Sequence, residues 1–265
     1  MMFLRHFLLA LQFFTRIPVT GALADWVGYS PAMLRASAAH FPGIGWLVGA
    51  WAAALSAGLF VVLPASPMTP LVVAVLGTVA SVLLTGAFHE DGLADVADGL
   101  GGSSERDRAL EIMKDSRVGA FGALALVLVV SAKVALLALL GSVDPLALVW
   151  GLFAAHVASR CFPLLLVRAM VHVGDAAGSK SKPLADQISV GSLLVAAAWL
   201  VAALLLVAVC ADGIALAAPL ACATLAWLWM WRWFSRRLQG FTGDCLGATQ
   251  QVCEVAFYIG LALSL

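Results

Sequence analysis

Five titratable side chains lie close together in the stretch 85–102, TGAFHEDGLADVADGLGG. They are His89, Glu90, Asp91, Asp95 and Asp98, and no Lys or Arg lies among them. Mg²⁺ binds carboxylate oxygens, keeps several waters and bridges substrate phosphates. The stretch therefore predicts metal-dependent chemistry on a phosphorylated substrate, with its four acidic residues as the candidate metal ligands.

The spacing of the aspartates supports this interpretation. Asp91, Asp95 and Asp98 stand at i, i+4 and i+7, so on a helix they share one face. Like charges at this spacing repel each other, and a divalent cation removes that repulsion. The alternative is a solvated acidic loop whose side chains only face water.

The composition defines the setting of this chemistry. The chain has 265 residues, of which 63% are hydrophobic and 11% are charged, whereas soluble domains carry about 25% charged residues. Such a composition is typical of helices surrounded by lipid. The 15 basic and 15 acidic residues give a formal net charge of zero, which argues against a nucleic-acid-binding protein.

Seven stretches approach the length of about 20 apolar residues that a membrane-spanning helix needs. They are 41–63, 71–88, 118–140, 146–168, 189–210, 214–234 and 245–265. Residues 1–19 read as an amphipathic segment at the membrane surface. The sequence therefore predicts an all-α, polytopic membrane bundle of about seven spans, preceded by an interfacial segment, in contact with the lipid bilayer.

The positions of Lys and Arg give the predicted orientation. Four segments carry them: Arg5, Arg16 and Arg35 in 1–40; Arg106, Arg108, Lys114 and Arg117 in 89–117; Arg168, Lys180 and Lys182 in 168–188; and Arg232, Arg236 and Arg237 in 232–244. The intervening turns 64–70, 141–145 and 211–213 carry none. Because basic loops stay in the cytoplasm, we expect the main active-site loop, at about 89–117, on the cytoplasmic side. We expect residues 1–265 to form a single catalytic domain.

The second half of that loop, ERDRALEIMKDSR at 105–117, has mixed charge. Its first part is typical of an interfacial helix with a solvated face. Lys114, Asp115 and Arg117 follow it and come just before the next span. We expect these three side chains to point back toward the acidic cluster.

Charged residues also fall inside the predicted spans. Arg160 and Glu254 could form a structural pair or contact the substrate, and both interpretations stay open. His156 lies one helical turn from Arg160 on the same face. Lys133 is expected to extend outward to the membrane surface as a structural residue.

Several motifs together resemble the cobalamin synthase family, the adenosylcobinamide-GDP ribazoletransferases. The motifs are Phe14-Thr15-Arg16-Ile17-Pro18; Phe41-Pro42-Gly43 with Gly45; HEDGLAD at 89–95 with Asp98-Gly99; KDSRVG at 114–119 with Gly122; and Thr242-Gly243-Asp244 with Leu246-Gly247-Ala248 and Glu254. The resemblance covers about residues 12–254. The segment 171–188 is assigned no family role.

The resemblance implies a Mg²⁺-dependent enzyme of the bacterial cytoplasmic membrane. Its substrates would be adenosylcobinamide-GDP and α-ribazole or its 5′-phosphate, and its products adenosylcobalamin or its 5′-phosphate and GMP. The oligomeric state stays open, a homo-oligomer included.

We assign the candidate roles from the residue chemistry. Asp115 is a candidate metal ligand or base, Arg117 and Lys114 are candidate phosphate contacts, and Asp244 completes the site. His89 is either a general base or a structural residue.

Two other functions fit parts of the pattern. A CDP-alcohol phosphotransferase would also place aspartates and Mg²⁺ on membrane helices, and Asp95-x-x-Asp98-Gly99 matches the opening of its motif, but the rest of that motif does not follow. A transporter could use the intramembrane charges as an ion path. It would be expected to show internal repeats, and the sequence contains none.

Overall fold

The fold is that of a helical membrane protein, as predicted. The computed structural model describes residues 1–174 and 187–265, so Lys180, Lys182 and most of the segment 171–188 lie outside the described residues. Within the described parts no β-strand forms, and a single bridge joins His172 to Phe241.

Thirteen α-helices follow one another in the described residues. They are α1 Met2–Phe14, α2 Gly21–Val27, α3 Pro31–Ser37, α4 Phe41–Val62, α5 Thr69–Thr85, α6 Phe88–Gly102, α7 Arg106–Ile112, α8 Ala120–Val143, α9 Pro145–Ser159, α10 Phe162–Ala169, α11 Val190–Cys210, α12 Ala217–Arg237 and α13 Gly243–Ala262. A 3₁₀ turn, Ala38–His40, connects α3 to α4.

Local sequence signals set where several of these helices begin. Asp144 caps α9 by accepting a hydrogen bond from the Leu146 amide at 2.9 Å. Ser189 and Thr242 cap α11 and α13 through their hydroxyl groups in the same way. Such caps satisfy amides that have no partner within the helix.

Four helical segments of the described chain are long and apolar enough to cross a membrane: Pro31–Val62, Ala120–Val143, Pro145–Ala169 and Val190–Cys210. A bent pair, α5 with α6, brings the number to five if it counts as one span. The predicted count of seven is therefore not confirmed.

The last two predicted spans do form helices, α12 and α13, but these are not in that set. The tryptophans and arginines of α12 lower its hydropathy, and α13 carries Asp244, Gln250, Gln251 and Glu254.

A right-angled corner separates α5 from α6. Gly86 has a φ of 69° and Ala87 a φ of 58°, both left-handed, and the two helix axes differ by 90°. Only one limb of such a pair can run along the membrane normal. Because α5 is the apolar limb and α6 carries the titratable side chains, we place α6 outside the spanning segments.

Close backbone contact holds the centre of the bundle together. Gly45 and Gly49 of α4 lie against His156 and Phe153 of α9, and a Cβ added at either glycine would come within 3.0 Å of the α9 backbone. This contact positions the start of α4, so that the Phe41 ring lies 5.6 Å from the Arg160 guanidinium carbon.

Candidate active site on helix α6

The acidic residues of α6 differ in their exposure to solvent. Asp91 is exposed, Glu90 and Asp95 are half-buried, and Asp98 is buried. Burial, and after it the negative charges of Asp244, Asp91 and Asp98, raises the pKa of Asp95 from its ordinary 3.8 to about 7. Asp244 of the C-terminal motif therefore lies near the acids of α6.

Glycines allow this meeting of α6 and α13. A Cβ added at Gly92 would lie 2.8 Å from the carbonyl oxygen of Asp244 and 3.0 Å from its Cα. On the opposite helix, a Cβ at Gly247 would lie 3.1 Å from the carbonyl oxygen of His89. The two helices thus cross backbone against backbone beside the acidic residues.

Asp98 performs a structural task that the sequence did not indicate. Its Oδ2 accepts a hydrogen bond from the Gly119 amide at 2.7 Å, and its Oδ1 accepts one from the Gly122 amide at 2.8 Å. Both amides belong to the first turn of α8, which otherwise leaves them without partners. The carboxylate therefore joins the KDSRVG motif to α6, and lone pairs remain on its oxygens for a further ligand.

The loop between α7 and α8 carries the second group of predicted residues. Arg117 donates hydrogen bonds to both carboxylate oxygens of Asp115, the shortest being 2.5 Å. These bonds lower the pKa of Asp115 to about 2. Lys114 and Arg117 line a cleft of about 820 Å³ whose wall also includes Asp98, so the predicted basic residues and the C-terminal end of α6 share one cavity.

An aromatic stack connects three motifs that are distant in sequence. The Phe14 and Phe41 rings stack with centroids 4.1 Å apart, and Phe41 stacks on His89 at 5.5 Å. His89 is only 2% exposed, and its Nε2 has no hydrogen-bond partner. The ring is thus fixed by packing while one nitrogen stays available.

The N-terminal motif reaches the same region through Arg16. Its backbone amide donates a 2.7 Å hydrogen bond to the Leu84 carbonyl, and its Nη2 lies 3.5 Å from the Gly86 carbonyl oxygen. Arg16 therefore lies against the corner from which α6 departs. The other four motifs of the sequence, 14–18, 41–45, 114–122 and 242–254, thus contact α6, which carries the motif 89–99, or the residues packed on it.

One prediction about the intramembrane charges is wrong, and one of the two open interpretations of Arg160 and Glu254 is not observed in the described residues. Lys133 does not extend outward: it is 2% exposed, and its Nζ lies 2.5 Å from Oε1 of Glu254. Arg160 does not pair with Glu254, since Lys133 holds that place, and it donates instead to Nδ1 and the carbonyl oxygen of His156 at 3.1 and 2.8 Å. An acid buried inside the bundle draws the lysine inward because an unpaired buried charge is costly.

Residues that the sequence did not single out for a role complete the interior. Gln250 donates to Ser159 at 2.9 Å and to Glu254 at 2.8 Å, and Gln251 donates to Glu90 at 3.0 Å. The only signal for them was the presence of adjacent polar residues in an apolar stretch.

The donor chemistry of the α6 residues fits a hard divalent cation. Within residues 1–174 and 187–265, no three His, Cys, Asp or Glu side chains converge as a ready-made metal cage. However, the negative charges of Asp244, Asp91 and Asp98 act on Asp95, and Oε2 of Glu90 is buried without a hydrogen-bond partner. Carboxylate oxygens with unmet charge and unmet hydrogen bonds are the ligands that Mg²⁺ takes, together with waters and phosphates.

Comparison with known proteins assigns the chain to a family. The family described as cobalamin-5-phosphate synthase matches residues 6–262. Adenosylcobinamide-GDP ribazoletransferases from Albidiferax ferrireducens and Polaromonas naphthalenivorans are 64% and 62% identical, with 99% of each chain covered. The Leptothrix cholodnii protein of that name is 48% identical over 97% of this chain and 94% of its own. No solved structure matches the chain. The chain belongs to the cobalamin-5-phosphate synthase family.

Proposed function

We propose that this protein is an adenosylcobinamide-GDP ribazoletransferase of the bacterial cytoplasmic membrane, with its active site on the cytoplasmic side. The observation that carries the proposal is the convergence of four distant motifs on α6, which carries the fifth. It occurs in a chain whose relatives with that name match it end to end. Basic loops on the side of α6 support the orientation.

The reaction transfers the cobinamide-bound phosphoryl group from an oxygen of GMP to a hydroxyl oxygen of α-ribazole. A hydroxyl group of α-ribazole, or of its 5′-phosphate, forms a bond to the phosphorus attached to cobinamide. The bond from that phosphorus to the oxygen of GMP breaks, GMP leaves with the electron pair, and the hydroxyl proton passes to a base. Catalysis of such a step consists mostly of positioning and of charge neutralisation.

The acidic residues of α6 are the proposed binding site for Mg²⁺. Glu90, Asp91 and Asp95 supply carboxylate oxygens, and Asp98 adds its remaining lone pairs while it holds the start of α8. Asp244 contributes from α13. When bound there, Mg²⁺ neutralises the charge of the diphosphate and of the departing GMP.

The cleft between α6 and the loop after α7 is the proposed site for the diphosphate. Its volume of about 820 Å³ falls in the range of small-molecule sites, about 300–1,000 Å³. Arg117 is held in one orientation by its paired hydrogen bonds with Asp115. A guanidinium fixed in this way suits recognition of phosphate oxygens.

The geometry distinguishes the two candidate bases. Asp115 is ion-paired with Arg117 and has a pKa of about 2, so it is a poor proton acceptor at neutral pH. His89 has Nε2 without a partner and is held between aromatic rings. We therefore propose Asp115 as the residue that orients Arg117. His89 stays the candidate proton acceptor through its unpartnered Nε2, and burial lowers the pKa of its imidazole well below 6.5.

The test is product formation by the purified protein. The protein in detergent or lipid is incubated with adenosylcobinamide-GDP, α-ribazole and Mg²⁺, and nucleotides are separated by chromatography. GMP that appears in step with adenosylcobalamin supports the proposal. Absence of GMP from folded protein, or release of CMP from a CDP-alcohol instead, would overturn it.

A further inference from the structure

A continuous hydrogen-bonded network runs from the interior of the bundle to α6. It starts at the Lys133–Glu254 ion pair, whose atoms lie 2.5 Å apart. Gln250 donates to Glu254 at 2.8 Å, and Gln251 donates to Gln250 at 2.9 Å. Gln251 also donates to Oε1 of Glu90 at 3.0 Å. A metal-ligand candidate thus forms the outer end of a buried network.

The network leaves the Gln251 side chain little freedom. An amide nitrogen has two hydrogens, and Nε2 of Gln251 uses them on Gln250 and Glu90. Gln250 in turn donates to Ser159 and Glu254. A buried network rigidifies its members when their hydrogen bonds are satisfied. Because both glutamine amide groups have each hydrogen in use, the orientation of Gln251, and through it that of Glu90, is fixed.

Glu254, at the inner end of the network, has partners other than Glu90, and the buried Arg160 places a second positive charge near both acids. Lys133 compensates Glu254, and the Tyr258 hydroxyl group donates to Oε1 of the same carboxylate at 3.0 Å. Gln250 and Gln251 are neutral. One oxygen of Glu90 is held by Gln251, whereas Oε2 is buried with no hydrogen-bond partner. A buried oxygen that lacks a partner is costly unless a ligand meets it.

We infer that Gln251 is a positioning residue that holds Glu90 by one oxygen and leaves Oε2 as the ligand atom for the divalent cation. The inference rests on the proposed function for the identity of the ion. Residues that hydrogen-bond a metal ligand orient it and commonly change metal affinity 10–100-fold when they are replaced. A residue that only filled space inside the bundle would not have this effect.

The test measures cation binding directly, without any substrate. Mn²⁺ is titrated into the full-length, metal-free protein and followed by electron paramagnetic resonance. We expect Gln251→Leu to weaken Mn²⁺ binding about tenfold. Gln251→Asn is the more conservative substitution because it keeps the amide group. It is expected to weaken Mn²⁺ binding by a similar factor, since the shorter side chain cannot reach Gln250 and Glu90 together.

Thr249→Val is the matched control. Thr249 is buried on the same helix, and its hydroxyl group donates only to the Cys245 carbonyl of its own helix at 2.7 Å. The control is expected to bind Mn²⁺ as the wild type does, with thermal unfolding recorded for every variant. Equal Mn²⁺ affinity in wild type and in both Gln251 variants, or no Mn²⁺ binding by the wild type, would overturn the inference.

A second measurement links the effect to Glu90. In a Glu90→Gln background, Gln251→Leu is expected to cause no further loss of Mn²⁺ affinity, because the group that Gln251 positions is already changed. A full additional tenfold loss would contradict the role. Weaker Mn²⁺ binding in a protein that releases no GMP would refute the proposed function alone. Normal Mn²⁺ binding by the Gln251 variants of a protein that does release GMP would refute the positioning role alone.

Discussion

The carboxylate of Asp98 accepts a 2.7 Å hydrogen bond from the Gly119 amide, across 21 positions of sequence. This contact gives a physical reason for the glycines of the KDSRVG motif and of position 122. A Cβ at either Gly119 or Gly122 would collide with the Asp98 carboxylate. Asp98 and the two glycines therefore together fix the loop that carries Asp115 and Arg117 to α6.

Replacement of Asp98 should lower both the thermal stability and the activity of the protein. Asp98→Ala leaves two amides of α8 without their charged acceptor, which costs about 1–3 kcal/mol. For a chain of this size that corresponds to a fall of several degrees in the unfolding midpoint. Asp107→Asn, at an exposed position on α7, should leave the midpoint unchanged. Thermal unfolding in detergent measures both, and equal midpoints for Asp98→Ala and wild type would contradict the capping role.

A methyl group at position 92, where α6 and α13 cross, should disturb the site. Gly92→Ala places a Cβ against the Asp244 backbone, so the helices must move apart and the acids of the two elements with them. We expect GMP release to fall at least about tenfold, since small displacements of catalytic groups have large effects. Gly58→Ala is the control, because a Cβ there meets nothing within 4 Å. Full activity of Gly92→Ala would show that the crossing does not position the site.

Asp95 should lower the stability of the metal-free protein at alkaline pH. Its pKa of about 7 lies above the ordinary 3.8, so the folded state disfavours the ionised form. The contribution of the Asp95 carboxyl group to folding stability is fully present at low pH and is lost as the pH rises from about 4 through 7. We therefore expect Asp95→Asn to raise the unfolding midpoint in EDTA, with a larger gain at pH 8 than at pH 5.

Two controls accompany that measurement. Asp107→Asn, whose side chain is 91% exposed in the wild type, should give no pH-dependent gain. Added Mg²⁺ should reduce the gain from Asp95→Asn, because a cation removes the repulsion among the carboxylates. A gain of the same size at both pH values would exclude Asp95 as the cause.

The Lys133–Glu254 pair should behave as a buried ion pair. Lys133→Met removes the ion-pair partner of the buried Glu254 carboxylate, and breaking such a pair costs about 3–5 kcal/mol. The double variant Lys133→Met, Glu254→Gln removes both charges and should recover much of the lost midpoint. Midpoints are compared by thermal unfolding in one detergent. Losses in the double variant that equal the sum of the two single losses would mean that the two charges do not interact.

Much of the fold follows from hydropathy and spacing alone. The first predicted span, 41–63, is α4 at Phe41–Val62, and the fifth, 189–210, is α11 at Val190–Cys210. The fourth, 146–168, is interrupted at Arg160 and Cys161, because Pro163 at the second position of α10 starts a new helix. The corner at Gly86 and Ala87 was not predicted, since nothing in the hydropathy marks a left-handed pair.

The candidate site was predictable where residue type alone carries the chemistry. Acids at i, i+4 and i+7 indicate a charged helix face, and KDSR indicates a charged loop. The partners of Lys133, Arg160 and Gln251 depend on which helices meet and at what depth. One sequence cannot give those distances, and so an Arg160–Glu254 pair stayed one of two open interpretations, whereas the structure has a Lys133–Glu254 pair.

The most direct test of the central claim is the Mg²⁺ dependence of GMP release. Asp91→Asn and Asp95→Asn are assayed with adenosylcobinamide-GDP and α-ribazole across a Mg²⁺ titration, beside Asp107→Asn as control. If the acidic face of α6 binds the ion, the Mg²⁺ midpoint should rise about tenfold or more in both variants and stay at the wild-type value in the control. Near-normal GMP release by Asp91→Asn and Asp95→Asn at limiting Mg²⁺ would contradict it.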